Sequence, residues 1–373
     1  MKKKGALILM GAVVLLAVLV GVVSGIRGSG GTDISFDPAN FVQLREPQVL
    51  SANTPHGQVS VAHLEVLNDR FYDRFPFSYQ EMHTAAWLVE ELLAMGYTWD
   101  DIEVQEFTHE AASAAAPIEF SVNMMIAYWV ESSPFVNFGT RASRLSQNVI
   151  LTVPGQSEET IIVGAHYDGV MFPGASDNAS GTALLLESAQ RMLDIDNYYT
   201  IVYVFFGAEE GGIFGAFYYA HSLTQAEHDN ILFMLNADVL LEGPDLFFMP
   251  GYDAGGGRSG ANHITETWDR VAEDMYAEHG IMLHSWPAGV FGPSDQLAFL
   301  PWGHTAMFMV GYDAVDGWYD ATNFQLAMMG MVRVLHSPRD DFHYINETWP
   351  GKIDANMRGF SLFLEALLLA DYN

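Results

Sequence analysis

Several apolar segments of strand length in this chain end in polar side chains, and this repeated pattern limits the folds that the chain can adopt. The segments IIVGAH, VYVFFGAEE and ILFMLNAD end in His166, in Glu209 with Glu210, and in Asp238. Helical patterns separate these segments along the chain. Strands that alternate with helices indicate an α/β fold, a three-layer sandwich with a mostly parallel central sheet flanked by helices. In open α/β sheets, ligand sites form at the carboxyl ends of the strands.

Two more side chains of the same kind extend this set, namely Asp177 in GASDNASG and His336 in MVRVLHSPRD. Two histidines and several carboxylates at one sheet edge favour a hard-to-borderline metal, and we expect two zinc ions. The chain contains no cysteine. Disulfides, thiolate zinc sites and a lipoprotein anchor are therefore excluded, and any metal must be held by histidine and carboxylate.

The adjacent residues Glu209 and Glu210 can take two different roles in metal-assisted hydrolysis. At the end of a strand, neighbouring side chains point to different sides, so one carboxylate can bind metal while the other acts as a general base. Asp168 follows His166 by two residues and can accept the ring N–H of this histidine, which would fix its tautomer. Asp177 precedes a predicted helix, a position that favours an anionic side chain.

The start of the chain predicts a location outside the cytoplasm. The lysines of MKKK precede an uncharged apolar stretch, GALILMGAVVLLAVLVGVVSGI, whose length is close to that of a membrane-spanning helix. We expect residues 1–27 to be a membrane anchor or a cleaved signal peptide, with the remainder of the protein extracytoplasmic. Residues 28–46 begin with a stretch rich in Gly, Ser and Asp and are expected to form a flexible tether. Residues 47–373 are expected to form one domain.

The chain is strongly acidic, with 46 Asp and Glu residues, 16 Lys and Arg residues and a formal charge of −30. Contacts to phosphate need Lys and Arg, so this balance argues against nucleic-acid binding. Half of the residues are hydrophobic, which excludes general disorder and is enough for one large core.

The motifs HYDG, GASDNASG, AEEGG, NAD and HSPRDD occur in an order and rough spacing that resemble the M28 family of zinc-dependent exopeptidases, which contains secreted bacterial leucyl-type aminopeptidases. The similarity extends from about His63 to the last predicted helix. It implies a zinc exopeptidase fold and the removal of N-terminal residues from peptides with a free N-terminus. Two alternatives remain open: a glutaminyl-cyclase-like acyltransferase with one zinc, and a non-catalytic binding ectodomain. The sequence indicates no oligomeric state.

The resemblance implies a set of metal ligands. Asp177 is expected to bridge the two zinc ions. Glu210 and His336 would complete the ligands of one ion, and His166 and Asp238 would complete those of the other.

The resemblance also implies roles for residues that do not bind metal. Glu209 is expected to be the general base, and Asp168 is expected to orient His166. A cis peptide bond is expected between Asp177 and Asn178.

Two positions depart from the family pattern. Gln296 stands where a histidine is common, and Leu335 stands where some members have a tyrosine that can polarise the scissile carbonyl. Ser294 and Asp295 are expected near the site as supporting groups, and Tyr312 and His304 are candidates for oxyanion stabilisation. The segments 286–291 and 302–308 are rich in Trp, Phe and Met. They are expected to form an apolar wall for the first residue of the substrate.

Overall fold

The structure of the protein, a computed structural model, describes most of the chain beyond its N-terminal segment. The described residues are 54–116, 145–170, 172–250, 262–285, 294–312 and 334–373. The predicted membrane segment and tether (1–46) lie outside these ranges. The segment IEFSVNMMIAYWVE (118–131), whose sequence predicts a strand, also lies outside them. Within them, no helix is long and apolar enough to cross a membrane.

The strands of the described residues form one eight-stranded sheet. In chain order they are β1 (Ile102–Thr108), β2 (Leu145–Val153), β3 (Ser157–His166), β4 (Tyr199–Phe206), β5 (Ile231–Ala237), β6 (Asp245–Pro250), β7 (Leu283–Ser285) and β8 (Ala306–Tyr312). Their order across the sheet is β1-β2-β4-β3-β5-β8-β6-β7. The central strands β4, β3, β5 and β8 run parallel, so their carboxyl ends meet at one edge.

The sheet is mixed: the parallel pairing expected from the sequence is found at its centre, and antiparallel pairings lie toward its two sides. β2 is antiparallel to both β1 and β4, and β6 is antiparallel to β8. β2 and β3 are joined by a short turn, yet β4 lies between them in the sheet. The apolar content of a strand does not encode its direction, so these pairings could not be read from the sequence.

Helices cover the sheet. In chain order they are α1 (Gln58–Arg70), α2 (Tyr79–Met95), α3 (His109–Ala115), α4 (Ser180–Met192), α5 (Phe214–Ser222), α6 (Gln225–Asn230), α7 (His263–His279), α8 (Phe342–Thr348) and α9 (Lys352–Leu368). A π-helical turn, Ala175–Ala179, precedes α4, and two 3-10 turns, Asp295–Ala298 and Leu300–Trp302, precede β8.

The side chains of β3 show how the two faces of the sheet are covered. Ile161, Val163 and Ala165 lie in a large apolar core together with residues of α1, α2, α4, α7 and α9. Ile162 lies in a second core together with residues of α5 and the 3-10 turns. Since alternate residues of a strand point to opposite faces, this pattern gives the expected three layers, with helices on both sides of the sheet.

Among the short elements, α3 and β6 show why some of them differ from the sequence expectation. The segment HEAASAAAP after β1 is rich in small residues, and its sequence predicts a loop. It forms α3 instead, because the Thr108 side chain accepts a hydrogen bond from Ala111 N at 3.1 Å and alanine favours helix. β6 was not predicted. Its consecutive residues Phe247 and Phe248 are both buried, and such a short continuous apolar run has no alternation that would mark it as a strand.

The close approach of β8 to the segment after β5 requires glycine at position 311. A Cβ atom there would lie 2.0 Å from the backbone oxygen of Leu240, and Gly311 N donates to Val239 O at 3.0 Å. We predict that Gly311→Ala lowers the free energy of unfolding by about 3 kcal/mol, the upper end for an inserted methyl group, because the obstacle is backbone. Urea unfolding measures this change.

Gly280→Ala is the matched control for this prediction. A Cβ atom at Gly280 has nothing within 4 Å, so the variant reports only the cost of its positive φ of 66°. That cost is about 1 kcal/mol. Equal destabilisation by the two substitutions would contradict the close approach at Gly311.

Candidate metal centre

Five polar side chains converge where the central parallel strands end. His166 is the last residue of β3, and Asp238 directly follows β5. Glu209 and Glu210 follow β4 after a short turn, and Asp177 lies in the π-helical turn before α4. All five are buried. Because parallel strands share one carboxyl edge, the loops that carry these residues meet there.

His336 reaches the same edge from the segment between β8 and α8. The part of this segment that the structure describes, from Val334 onward, is a turn, although its apolar run predicts a strand. His336 itself has a φ of 52°, a left-handed conformation that is incompatible with an extended strand. The side chain lies where the sequence places it, although the backbone conformation differs from the expectation.

Asp177 lies between the two histidines and presents one carboxylate oxygen to each. Its Oδ1 is 3.1 Å from His166 Nε2, and its Oδ2 is 2.9 Å from His336 Nε2. Asp238 Oδ1 is 3.3 Å from His166 Nε2, and Glu210 Oε2 is 3.3 Å from His336 Nε2. These side chains therefore form two groups of three that share Asp177.

The chemistry of both groups fits a divalent metal ion. Each combines one imidazole with two carboxylates, and the donor atoms of each group lie within 4.8 Å of one another. Zinc binds such ligands in proteins. Among the described residues, no hydrogen bond satisfies His166 Nε2, Asp238 Oδ1 or Glu210 Oε1, although all three atoms are buried. Unsatisfied buried polar atoms are costly, and metal ions would satisfy them. The assignment of each ligand stays a prediction.

Asp168 connects two of the loops at this edge. Its Oδ1 lies 3.4 Å from His166 Nδ1, a contact longer than an ordinary hydrogen bond but placed to orient the ring. The same carboxylate accepts hydrogen bonds from Glu209 N at 3.0 Å and Glu210 N at 3.1 Å. Asp168 therefore holds the backbone of the Glu209–Glu210 turn, a contact that the sequence did not indicate.

The segment that carries His336 also supports the loop of Asp177. The carboxylate of Asp340 accepts hydrogen bonds from Ser176 N at 2.5 Å and Asp177 N at 3.1 Å. The peptide bond between Asp177 and Asn178 is cis, as the family resemblance implies. The positions of Asp177 and His336 are thus coupled through Asp340.

Arg74, a fully buried residue, supports the loop that leads to Asp177. Its guanidinium donates hydrogen bonds to the carbonyl oxygens of Tyr167 at 2.6 Å, Pro173 at 2.5 Å and Gly174 at 2.7 Å. Its positive charge acts on several carboxylates of the site, including Asp177. Nothing in the sequence around Arg74 indicates this role, because its partners are distant backbone carbonyls.

A chain of hydrogen bonds holds Asp238 in place. Ser294 Oγ donates to Asp238 Oδ2 at 2.7 Å, and Asn236 Nδ2 donates to Ser294 Oγ and Gln296 Oε1 at 2.8 Å each. Ser294 therefore lies beside the site, as expected, and Gln296 is linked to it through Asn236. Asp295 is fully buried, and neither of its carboxylate oxygens has a hydrogen-bond partner among the described residues.

The site holds an excess of buried negative charge. Burial raises the pKa of Glu209 well above its usual value, and the charges of Glu210 and Asp238 add to this increase. Burial and the charge of Asp177 raise the pKa of Glu210. Burial alone would lower the pKa of His336, but Glu210 and Asp177 raise it well above its usual value. Burial and the neighbouring carboxylates together produce these shifts, and bound cations would neutralise the negative charge of those carboxylates.

The expectations for His304 and for the apolar wall at 302–308 are wrong. His304 and Trp302 precede β8 and therefore lie at the edge opposite the carboxyl ends. There His304 Nε2 is 2.9 Å from His228 Nδ1, and Trp302 stacks on the His228 ring with centroids 4.0 Å apart. The remaining residues of this segment, Ala306 to Phe308, are buried within β8.

Tyr312 is at the correct end of β8 but is buried in a separate apolar cluster with Phe247. This position does not favour a role in oxyanion stabilisation. The other half of the predicted apolar wall, 286–291, lies outside the described residues.

Comparison with known proteins places this geometry among metallopeptidases. Residues 148–361 match the family model for peptidase family M28. A probable leucine aminopeptidase of Arthroderma otae is 25% identical over 209 residues, which cover 51% of this chain and 47% of that protein. The chain thus spans less than half the length of this curated relative.

Solved structures show the same fold. A zinc aminopeptidase from Bacillus subtilis superposes with a TM-score of 0.60 at 17% identity, covering 84% of this chain and 94% of that one. A glutaminyl cyclase from an Acidobacteriales bacterium superposes with a TM-score of 0.54 at 18% identity, covering 86% and 97%. At such low identities the similarity concerns the fold alone.

The shared position of Asp177 leads to a prediction about metal retention. Because Asp177 belongs to both groups, we expect Asp177→Ala to lose more zinc than His166→Ala or His336→Ala. Elemental analysis after dialysis against metal-free buffer is the measurement. Asp69→Ala is the control, since Asp69 forms a similar contact with His343, at 2.9 Å, on the surface. A full complement of zinc in Asp177→Ala would show that Asp177 does not bridge two ions.

Proposed function

The chain belongs to peptidase family M28, and from this membership we propose that it is a dizinc aminopeptidase. It would remove N-terminal residues from extracellular peptides that have a free N-terminus. The name of the curated relative, a probable leucine aminopeptidase, supports this proposal, as does the fold shared with a zinc aminopeptidase.

The observation that carries the proposal is the geometry around Asp177. Its two carboxylate oxygens face two different histidines, and each histidine has a second carboxylate at 3.3 Å. A site for one ion needs only one such group. Two complete groups that share a carboxylate match the arrangement in which two ions act together on one substrate.

The roles of the residues follow from this geometry. His166, Asp238, Glu210 and His336 would hold two zinc ions, with Asp177 between them. Bound zinc lowers the pKa of a coordinated water and polarises a carbonyl group.

Glu209 would act as the general base. Its backbone N–H donates a hydrogen bond to Asp168, it is adjacent to the proposed metal ligand Glu210, and burial raises the pKa of its carboxylate. It would accept a proton from the attacking water and pass it to the leaving amine.

A glutaminyl-cyclase-like acyl transfer with one zinc is the second candidate, favoured by the shared fold. The complete group of His166, Asp177 and Asp238 argues for a second ion and therefore for hydrolysis. A zinc count on the purified protein separates the possibilities. About two ions per chain support the dizinc peptidase, about one supports the acyltransferase, and none supports a binding domain.

The proposal includes a location outside the cytoplasm. It is supported by the lysines of MKKK and the apolar stretch that follows them, which would act as a membrane anchor or a signal peptide within residues 1–27. A peptidase in this location would encounter extracellular peptides as substrates.

The assignment of the general base predicts a defect in turnover without loss of metal. Glu209→Gln keeps the shape of the side chain but cannot accept a proton, so we expect kcat to fall by roughly two to four orders of magnitude. Zinc content should stay at the wild-type value, because Glu209 is in neither ligand group. Steady-state kinetics and elemental analysis measure both quantities. Near-normal turnover in this variant would refute the assignment.

The proposed reaction also predicts selectivity for the substrate terminus. An acidic site attracts an α-ammonium group, so leucyl amides should be cleaved and acetyl-leucyl amides should not. If an apolar pocket receives the first side chain, leucyl amides should exceed glycyl amides in kcat/KM by roughly one to two orders of magnitude. A panel of chromogenic amides tests both expectations. Comparable cleavage of acetylated and free substrates would rule out an aminopeptidase.

A further inference from the structure

Glu81, in the first turn of α2, is a fully buried carboxylate in contact with the turn that carries Glu209. Its Oε1 accepts hydrogen bonds from Ala208 N at 2.8 Å and Ser146 Oγ at 2.8 Å. Its Oε2 accepts a hydrogen bond from Phe77 N at 2.6 Å. One side chain therefore joins the start of α2, the start of β2 and the segment after β4.

The contact between Glu81 and Ala208 is one of three similar contacts in the turn after β4. Three consecutive backbone N–H groups are each bound by a buried carboxylate: Glu81 binds that of Ala208, and Asp168 binds those of Glu209 and Glu210. Ala208 has a φ of 55°, a left-handed conformation that is unfavourable for alanine. Such a conformation persists where surrounding contacts hold it, and at this position one of them is the hydrogen bond that Ala208 N donates to Glu81.

We propose that Glu81 is a positioning residue for the general base, and that it acts through the amide of Ala208 to direct Glu209 toward the metal ligands. The proposal rests on the proposed function, because it needs Glu209 as the base. Glu81 precedes the residues that match the family model, which begin at 148, so that match assigns it no role.

Without the Glu81 carboxylate, the turn after β4 would lack an acceptor for one of its backbone N–H groups. Ala208 is fully buried, so its N–H would lose its acceptor without gaining water. The turn would shift to satisfy it, and the carboxylate of Glu209 would move with the backbone. A general base must lie within hydrogen-bond reach of the proton that it accepts, and a displacement of about 1 Å can reduce the rate by about 100-fold.

The test uses Glu81→Gln in the full chain. Glutamine has one acceptor oxygen, so either Ala208 N or Phe77 N loses its partner while the volume of the side chain is retained. Glu81→Leu, which has no acceptor and removes the partner of Ala208 N in either orientation, is measured beside it. We expect kcat for a leucyl amide to fall by roughly 10- to 100-fold, with KM and zinc content close to wild type. We also expect faster amide hydrogen exchange in the peptide that covers 207–213, measured on the metal-free protein.

Glu187→Gln is the matched control. Glu187 is also fully buried, and it likewise accepts hydrogen bonds from two backbone amides, of Gly57 at 2.9 Å and Ser60 at 2.8 Å, and from the Ser60 hydroxyl. These contacts lie in the α1–α4 region, away from the turn of Glu209. We expect this variant to lower the melting temperature without changing kcat or the exchange at 207–213.

Three results would overturn the proposal. The first is a kcat loss in Glu187→Gln equal to that in the Glu81 variants. The second is a kcat loss in the Glu81 variants that is explained by a loss of zinc. The third is unchanged exchange at 207–213 in Glu81→Leu. A zinc-loaded wild-type protein without peptidase activity would refute the proposed function instead. In that case the exchange measurement would still report whether Glu81 holds the turn.

Discussion

Carboxylates that bind the backbone amides of neighbouring loops are the interaction on which this site depends. Asp168 binds the turn after β4, Asp340 binds the turn before α4, and Glu81 binds the residue before the glutamate pair. None of the three belongs to the proposed ligand sets. Loops at the carboxyl edge lack the hydrogen bonds of a strand ladder. Charge-assisted bonds to buried amides supply the rigidity that a metal site needs.

The use of buried carboxylates to hold the loops concentrates negative charge in the protein interior. Burial raises the pKa of Glu81, Glu209 and Asp340, and their carboxylate neighbours raise it further. The guanidinium of Arg74 donates hydrogen bonds to backbone carbonyls near the site, and its positive charge compensates part of this negative charge. Two divalent cations would compensate much of the remainder. The charge that makes the metal-free site costly is therefore the charge that would make metal binding favourable.

The side chains of the site could be predicted from the sequence, whereas most of the residues that hold them in place could not. His166 and Asp238 could be found because each ends an apolar run of strand length, and such runs identify the central strands of a sheet. The directions of β2 and β6 could not be found, since hydrophobicity does not encode pairing. Glu81 could not be found either. Its partner Ala208 is 127 positions away, and only the tertiary structure brings the two together.

Some of the residues that support the site lie outside the region that matches the family model. The family match begins at residue 148, within β2, yet Arg74 and Glu81 come from the helical segment before it. Leu64, Leu88 and other residues of that segment also lie in the large apolar core, together with side chains of β3 and α4. Removing the segment would expose this core and leave loop carbonyls and the Ala208 amide without partners. The residues from 54 to 116 are therefore part of the structure that holds the metal centre in shape, and the matched region alone would lack the contacts that position its own glutamate pair.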